Sequence, residues 1–237
     1  MNLKGKTAIV TGGNSGIGLS IVLELAKQGA NIVIDYVVHP ETAEDLEKQV
    51  LALGDKAITV KADVSKVADL QSLVDAAVKN FGRLDIMVNN AGVETRTSVL
   101  DTTEEQLDRI SALQFKGPYF FLQTFVGRMA QLGGGSVITL SSASVHAVLH
   151  HHAAYIATKA AGEAMVRCFA NEFGHRGVKV NALAPGLTES PMTAREMSLP
   201  GLRETFVKEY PLGRIGTGLD VANAALWLAS DESFMTG

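Results

Sequence analysis

The sequence predicts an α/β fold, a three-layer α/β/α arrangement around a doubly wound parallel sheet, and three observations carry that prediction. Short β-rich runs alternate with longer segments of helical spacing: Thr7 to Thr11, Ile32 to Asp35, Ala57 to Lys61, Leu84 to Asn89, Ser136 to Ser141 and Val178 to Leu183. A glycine-rich turn, Thr11 to Gly18, stands where the first run hands over to a helix. Finally, 237 residues at 46% hydrophobic content suffice for one large core without disulfides or metals, so residues 1–237 read as a single domain.

The helical segments carry their own punctuation. After Ser65, read as an N-cap, Val67, Leu70, Val74, Ala77, Val78 and Phe81 recur at helical spacing, and Gly82 stops the helix. Thr102 and Glu105 form a capping-box pattern ahead of another long helix, and Pro40 with Glu41 opens the one that carries Leu46, Val50 and Leu53. From Phe115 to Met129 the chain is apolar on two sides, with Phe115, Tyr119, Leu122 and Val126 on one stripe and Phe121 and Phe125 on another. Such a helix is covered either by a second subunit or by its own core. Residues 188–211, with Pro191, Pro200 and Pro211 near the ends and weak periodicity, read as a mobile substrate lid.

Charge excludes some partners. With 21 basic and 25 acidic residues, a net charge of −4 gives no general attraction to nucleic acid or anionic lipid. No stretch approaches the roughly 18 apolar residues of a membrane span, and the start lacks an apolar signal core, so the chain reads as soluble and cytoplasmic. The one cysteine, Cys168, lies in an apolar stretch and reads as a buried, inert thiol.

The glycine turn points to a ligand. Gly12, Gly16 and Gly18, with Asn14, Ser15 and Ile17 between them, would let the backbone approach a pyrophosphate at the positive end of the first helix. Asp35 closes the second strand, where a carboxylate accepts hydrogen bonds from ribose hydroxyls and repels a 2′-phosphate, although Tyr36 is the alternative occupant of that place. No Lys or Arg occurs from Asn31 to Glu47, which favours NAD and leaves NADP possible. Asp63 and Val64 after the third strand, and Asn90, Ala91 and Gly92 after the fourth, lie on the carboxyl edge of the sheet, where ligands of such folds bind.

Tyr155 and Lys159, four residues apart, share one helix face. A lysine ammonium beside a phenol lowers its pKa from about 10 toward the range of a working acid/base. Ser142, at the end of the fifth strand, can hold a carbonyl or alcohol oxygen at the same edge.

Together, Thr11 to Gly18, Asp63, Asn89 to Gly92, Ser142, Tyr155 to Lys159, Asn181 and Pro185–Gly186 resemble the short-chain dehydrogenase/reductase family over essentially the whole chain. The resemblance implies a Rossmann-type fold, NAD or NADP, a small-molecule substrate and commonly a homotetramer. It implies that Tyr155 exchanges a proton with the substrate oxygen, that Lys159 tunes it and binds the nicotinamide ribose, and that Ser142 orients the substrate while hydride passes to or from nicotinamide. Pro185, Gly186 and Thr188 join the cofactor set. Gln114 stands where the family usually has Asn, which helps hold a water leading protons from Lys159. That departure leaves open a catalytically impaired nucleotide-binding or scaffolding protein. The chain also stops at Gly237, where such chains enter a last strand, implying a missing tail or an incomplete sheet edge.

The loops around Glu94 and His146 resemble those of sugar-oxidising members, and both side chains could hydrogen-bond sugar hydroxyls. A sugar or polyol therefore competes with 3-oxoacyl and hydroxysteroid-type ketones as substrate. His150, His151 and His152 do not read as a metal site, because adjacent loop histidines do not readily converge on one ion; they read as lining the substrate mouth or facing solvent. Arg214 and Asp220 read as structural.

Overall fold

The computed structural model describes residues 1–237, the side chain of Glu196 excepted. Six strands, β1 (Thr7–Val10), β2 (Asn31–Tyr36), β3 (Ala57–Lys61), β4 (Ile86–Asn89), β5 (Gly135–Leu140) and β6 (Val178–Leu183), form one sheet in the order β3-β2-β1-β4-β5-β6. Every pairing is parallel. Strand alternation sends Ile32 and Ile34 to one face and Val33 to the other. Helices α1 (Gly16–Lys27), α2 (Pro40–Ala52) and α9 (Gly218–Ala229) bury the first face. Helices α3 (Val67–Phe81), α5 (Gly117–Gln131) and α6 (Ala153–Phe173) bury the second. Both faces are covered, so the strands are apolar throughout. Between β1 and β4 the strand order reverses, opening the crevice in which ligands of such sheets bind.

Helix ends differ from the sequence reading for local reasons. Lys66, not Ser65, is the N-cap of α3, because the Ser65 hydroxyl donates to Asp63 Oδ1 at 2.6 Å. The capping box before α4 (Glu104–Ser111) belongs to Thr103 and Gln106, one residue beyond Thr102 and Glu105. Thr102 is not available for it, since its hydroxyl donates to the Ser98 carbonyl. Between α4 and α5 runs a π-helical turn, Ala112–Lys116, rather than one unbroken α-helix. Here close approach dictates the residue: a Cβ on Gly117 would lie 2.1 Å from the Val64 carbonyl oxygen. Gly82 ends α3 in the left-handed region, as its position predicts.

The two-sided helix resolves differently from its stripes. Phe121 and Phe125 pack edge to face with ring centres 4.3 Å apart, and Leu122 and Val126 are buried with them. Only Phe115 and Tyr119 of the first stripe remain exposed. Cys168 is exposed, not buried, because α6 turns Val166 and Ala170 inward instead.

Residues 188–211 contain two short helices, α7 (Ala194–Met197) and α8 (Leu202–Glu209). Both ends are pinned: Thr188 bridges to Gly216, and the Leu187 N–H donates to the Tyr210 hydroxyl at 2.7 Å. After α9 the tail returns to the β6 edge, where the Gly237 N–H donates to the Val180 carbonyl. Arg214 grips Asp220 with two bonds of 2.7 Å, and Asp220 completes a capping box with Thr217 at the start of α9, a structural role for both. Among the described residues, no helix is long and apolar enough to cross a membrane.

Candidate active site

The glycine turn is braced by its neighbours. The Thr11 hydroxyl accepts from the N–H groups of Asn90 and Ala91, and the Asn90 amide donates to the carbonyls of Thr11 and Gly12. A Cβ on Gly18 would fall 2.3 Å from the Gly12 oxygen and 2.6 Å from Asn90 Nδ2, so the turn and the β4 edge close together only on glycine. Asn14 ties the other side down, donating to the carbonyls of Val38 and His39 and to the Thr42 hydroxyl. The exposed N-cap Ser15 makes no capping bond, and α1 has no acidic residue in its first turn. Its N–H groups and positive dipole end therefore suit an anion at Gly16 and Ile17. A Cβ on Gly16 would meet Ser190 and Pro191 at 3.4 Å, so residues 190 and 191 pack against this cradle. These features fit a dinucleotide's pyrophosphate.

Asp35 is not displayed at the ribose end. It is 1% exposed, its Oδ2 accepts from the Gly12 N–H at 3.1 Å, and its Oδ1 has no partner within the protein. Burial pushes its carboxyl up to about 7, against the pull of the backbone N–H groups of Gly12 and Ala62. The half-buried Tyr36 stands next to it at the strand end. Asp63, by contrast, is held below the usual carboxylate range, chiefly by the Ser65 hydroxyl. Val64 is buried, the Pro185 carbonyl accepts from the Ala143 N–H, Gly186 lies against Tyr210, and Thr188 donates to the Gly186 carbonyl.

Ser142, Tyr155 and Lys159 converge. The Ser142 hydroxyl accepts from the N–H and hydroxyl of Ser144 and stands close enough to the Tyr155 phenol to lower its pKa. Lys159 Nζ lies 5.7 Å from the Tyr155 ring centre and donates to the Leu140 carbonyl at 2.7 Å. The electrostatics differ from the sequence expectation. Burial pushes the Tyr155 phenol above its ordinary value, Ser142 pulls it down and the Glu94 charge raises it further. The lysine is itself affected, since burial lowers it to about 8. Its ammonium faces the ring and a carbonyl, so the geometry gives Tyr155 a positioned neighbour without a depressed pKa.

Gln114 fills its place with its side chain. Its Oε1 accepts from the Val93 N–H at 2.8 Å and its Nε2 donates to Thr158 Oγ1 at 2.9 Å, linking the loop after β4 to α6. Beside it a water-sized cavity of about 10 Å³ is lined by Asn89, Thr139, Thr158 and Lys159, among others. Asn89 Oδ1 and Thr139 Oγ1 are buried there without a protein partner. A polar void of this size holds a single water.

At the substrate mouth Glu94 is bound on both oxygens, to His152 Nε2 at 2.7 Å and to Arg96 at 2.8 Å. His146 does not join it. Its Nε2 lies 3.4 Å from Glu163, about two turns along α6 from Tyr155, and Glu163 also accepts from the Ser141 hydroxyl. His150 and His151 are exposed while His152 is buried, and among the described residues no His, Cys, Asp or Glu cluster is arranged to hold a metal ion.

Residues 12–237 match a family model described as Enoyl-(Acyl carrier protein) reductase. The chain belongs to the short-chain dehydrogenase/reductase family. An uncharacterized oxidoreductase from Methylorubrum extorquens is 37% identical, with 99% of this chain and 95% of the relative covered. A 3-oxoacyl-[acyl-carrier-protein] reductase from Staphylococcus aureus is 34% identical over 98% and 94%. The crystal structure of levodione reductase superimposes with a TM-score of 0.91 at 28% identity, over 97% of this chain and 92% of that one. As a short-chain dehydrogenase/reductase the chain is an oxidoreductase of CH–OH or carbonyl groups, and family members generally use NAD(P)(H).

Two contributors to this short-chain dehydrogenase/reductase site escaped sequence reasoning. Thr158 passes the Gln114 contact on to the Tyr155 carbonyl, and Glu163 captures His146. His152, read from the sequence as lining the substrate mouth or facing solvent, captures Glu94.

Proposed function

We propose that the protein transfers hydride between a nicotinamide cofactor, NAD in preference to NADP, and a small carbonyl compound or the corresponding secondary alcohol. The observation that carries this reading is the convergence of Ser142, Tyr155 and Lys159 beside the reversal of strand order. Ser142 holds the reacting oxygen. Tyr155 donates its proton to that oxygen in reduction and takes it back in oxidation. A phenol pushed up by burial keeps its proton at neutral pH, the form that donates when the carbonyl is reduced. Lys159 lies behind it, and a water bonded to Asn89 and Thr139 would carry protons onward. The bound nicotinamide would supply or accept the hydride.

Cofactor contacts are proposed for Gly12, Ser15, Gly16, Ile17, Gly18, Tyr36, Asp63, Val64, Ala91, Gly92, Pro185, Gly186 and Thr188, with Asn14, Asn90 and Asp35 bracing the turn from behind. Preference for NAD is supported by the lack of Lys or Arg from Asn31 to Glu47. The exposed Phe115 and Tyr119, beside Phe169, support a homotetramer. A reducing compartment, the cytoplasm, suits a chain whose one cysteine is exposed.

For the substrate, the charged mouth around Glu94 favours a hydroxylated alcohol such as a sugar or polyol. A 3-oxoacyl ketone is the second reading, favoured by the Staphylococcus aureus relative. Turnover of purified protein with polyols, 3-oxoacyl thioesters and hydroxysteroids, with NAD and NADP forms in parallel, tests all three choices. Polyol oxidation with NAD is the expected result; exclusive use of an acyl thioester overturns the sugar reading, and turnover with none of the panel argues for the scaffolding alternative.

A further inference from the structure

The mouth of the site holds a side-chain pair that the reaction above does not use. His152 stands one helical turn before Tyr155 and is buried, 9% exposed. Its Nδ1 lies 2.6 Å from the His150 carbonyl oxygen and its Nε2 lies 2.7 Å from Glu94 Oε1. A carbonyl oxygen can only accept, so Nδ1 carries a hydrogen. At Nε2 one proton must lie between the ring and the carboxyl, because two bare lone pairs would repel at that distance. The second Glu94 oxygen binds the Arg96 guanidinium, a cation that favours the ionised carboxylate. With that proton on the ring side, His152 would be an imidazolium paired with the Glu94 carboxylate.

This ring sits against the acid/base. The His152 and Tyr155 rings meet edge to face, with centres 6.3 Å apart and planes at 78°. Among the described residues, the charged and titratable groups facing the pair are Glu94 and Arg96 from the loop after β4, His150 from the preceding loop, and Tyr155 and Lys159 from α6; His146 is turned toward Glu163. A bare Glu94 carboxylate so close to the phenol would oppose its ionisation. We propose that His152 is a positioning residue for Tyr155: held doubly protonated between Glu94 and the His150 carbonyl, it cancels the Glu94 charge at the acid/base. The proposal rests on Tyr155 being the catalytic acid/base.

The test has a part that does not depend on turnover. Nitrogen-15 NMR of the cofactor-free protein reads the protonation of both His152 ring nitrogens directly; both protonated at neutral pH is expected, and a neutral ring overturns the proposal. The second part is the pH profile of kcat/KM for alcohol oxidation, which requires the Tyr155 phenolate. His152→Phe leaves Glu94 compensated by Arg96 alone, on the oxygen away from His152, and should move the acid limb upward by up to about one pH unit, at most a roughly tenfold loss near neutrality. His152→Phe combined with Glu94→Gln should return the limb toward its starting position. A limb that does not move in the single variant, or moves equally in both, overturns the charge-cancelling role. Activity that survives Tyr155→Phe overturns the catalytic reading beneath it, and is told apart from failure of the pair alone, in which Tyr155→Phe is inactive and the His152→Phe profile is unshifted.

Discussion

Asp35 illustrates how one step of strand register decides a residue's task. Successive side chains of a strand face opposite sides of the sheet, so Asp35 and Tyr36 cannot both meet a ligand at the ribose end. The carboxyl turns into the protein and accepts from Gly12, and burial holds it up to about 7. The native chain thus keeps a proton that the unfolded chain, titrating at 3.8, has already released. The stability from this group is full below that lower value and is lost as pH rises through the upper one. Asp35→Asn, which still offers an oxygen to the Gly12 N–H, should therefore gain stability relative to the wild type between about pH 4 and pH 7. Thermal melts across that range measure it, and a constant difference at every pH would contradict the assignment. The same variant should leave the ratio of NAD to NADP activity unchanged, because the side chain does not reach the ribose; a ratio that moves toward NADP would restore the sequence expectation.

Much of the element scale was legible before any coordinates. The apolar strand runs lie within one or two residues of their observed bounds, because strands buried on both faces leave an unmistakable pattern. Gly18, Tyr155 and Lys159 were legible because local geometry alone relates them to a helix start or a helix face. Contacts between distant segments were not. The Glu94–His152 pair spans 58 positions and depends on the path of a loop. The fit of Gln114 depends on a π-helical turn that no periodicity announced. That turn makes a prediction at its own scale. Gln114→Ala leaves the Val93 N–H without its acceptor and removes the amide donor to Thr158, whose hydroxyl keeps its bond to the Tyr155 carbonyl, a cost of about 1–3 kcal/mol, and loosens α6 beneath Tyr155. Denaturant unfolding should register that loss, accompanied by reduced kcat; stability within about 0.5 kcal/mol of the wild type would mean that the amide is not holding the elements together.

Across the whole molecule, the two apolar clusters on either face of the sheet account for most large buried side chains, yet Phe115 and Tyr119, four residues apart, stay exposed, and Tyr119 meets Phe169 of α6 edge to face. Exposed aromatics grouped in this way mark an interaction surface. Phe115→Glu with Tyr119→Glu should convert a tetramer to smaller species in light scattering while leaving the fold intact by circular dichroism. A wild type that is already monomeric would dismiss the assembly. At this scale the lid proposed for residues 188–211 makes a prediction too, since Ser190 and Pro191 lie against the glycine turn where a pyrophosphate would enter. Limited proteolysis within residues 188–211 should slow when dinucleotide is added.

The account stands or falls on Tyr155 as the group that exchanges a proton with the substrate oxygen. The most direct measurement is the turnover of Tyr155→Phe beside the wild type on any alcohol or ketone the wild type accepts, with dinucleotide affinity measured in parallel. Turnover lower by about a hundredfold to ten-thousandfold, with affinity preserved, is the predicted result. Turnover within a few-fold of the wild type would contradict it.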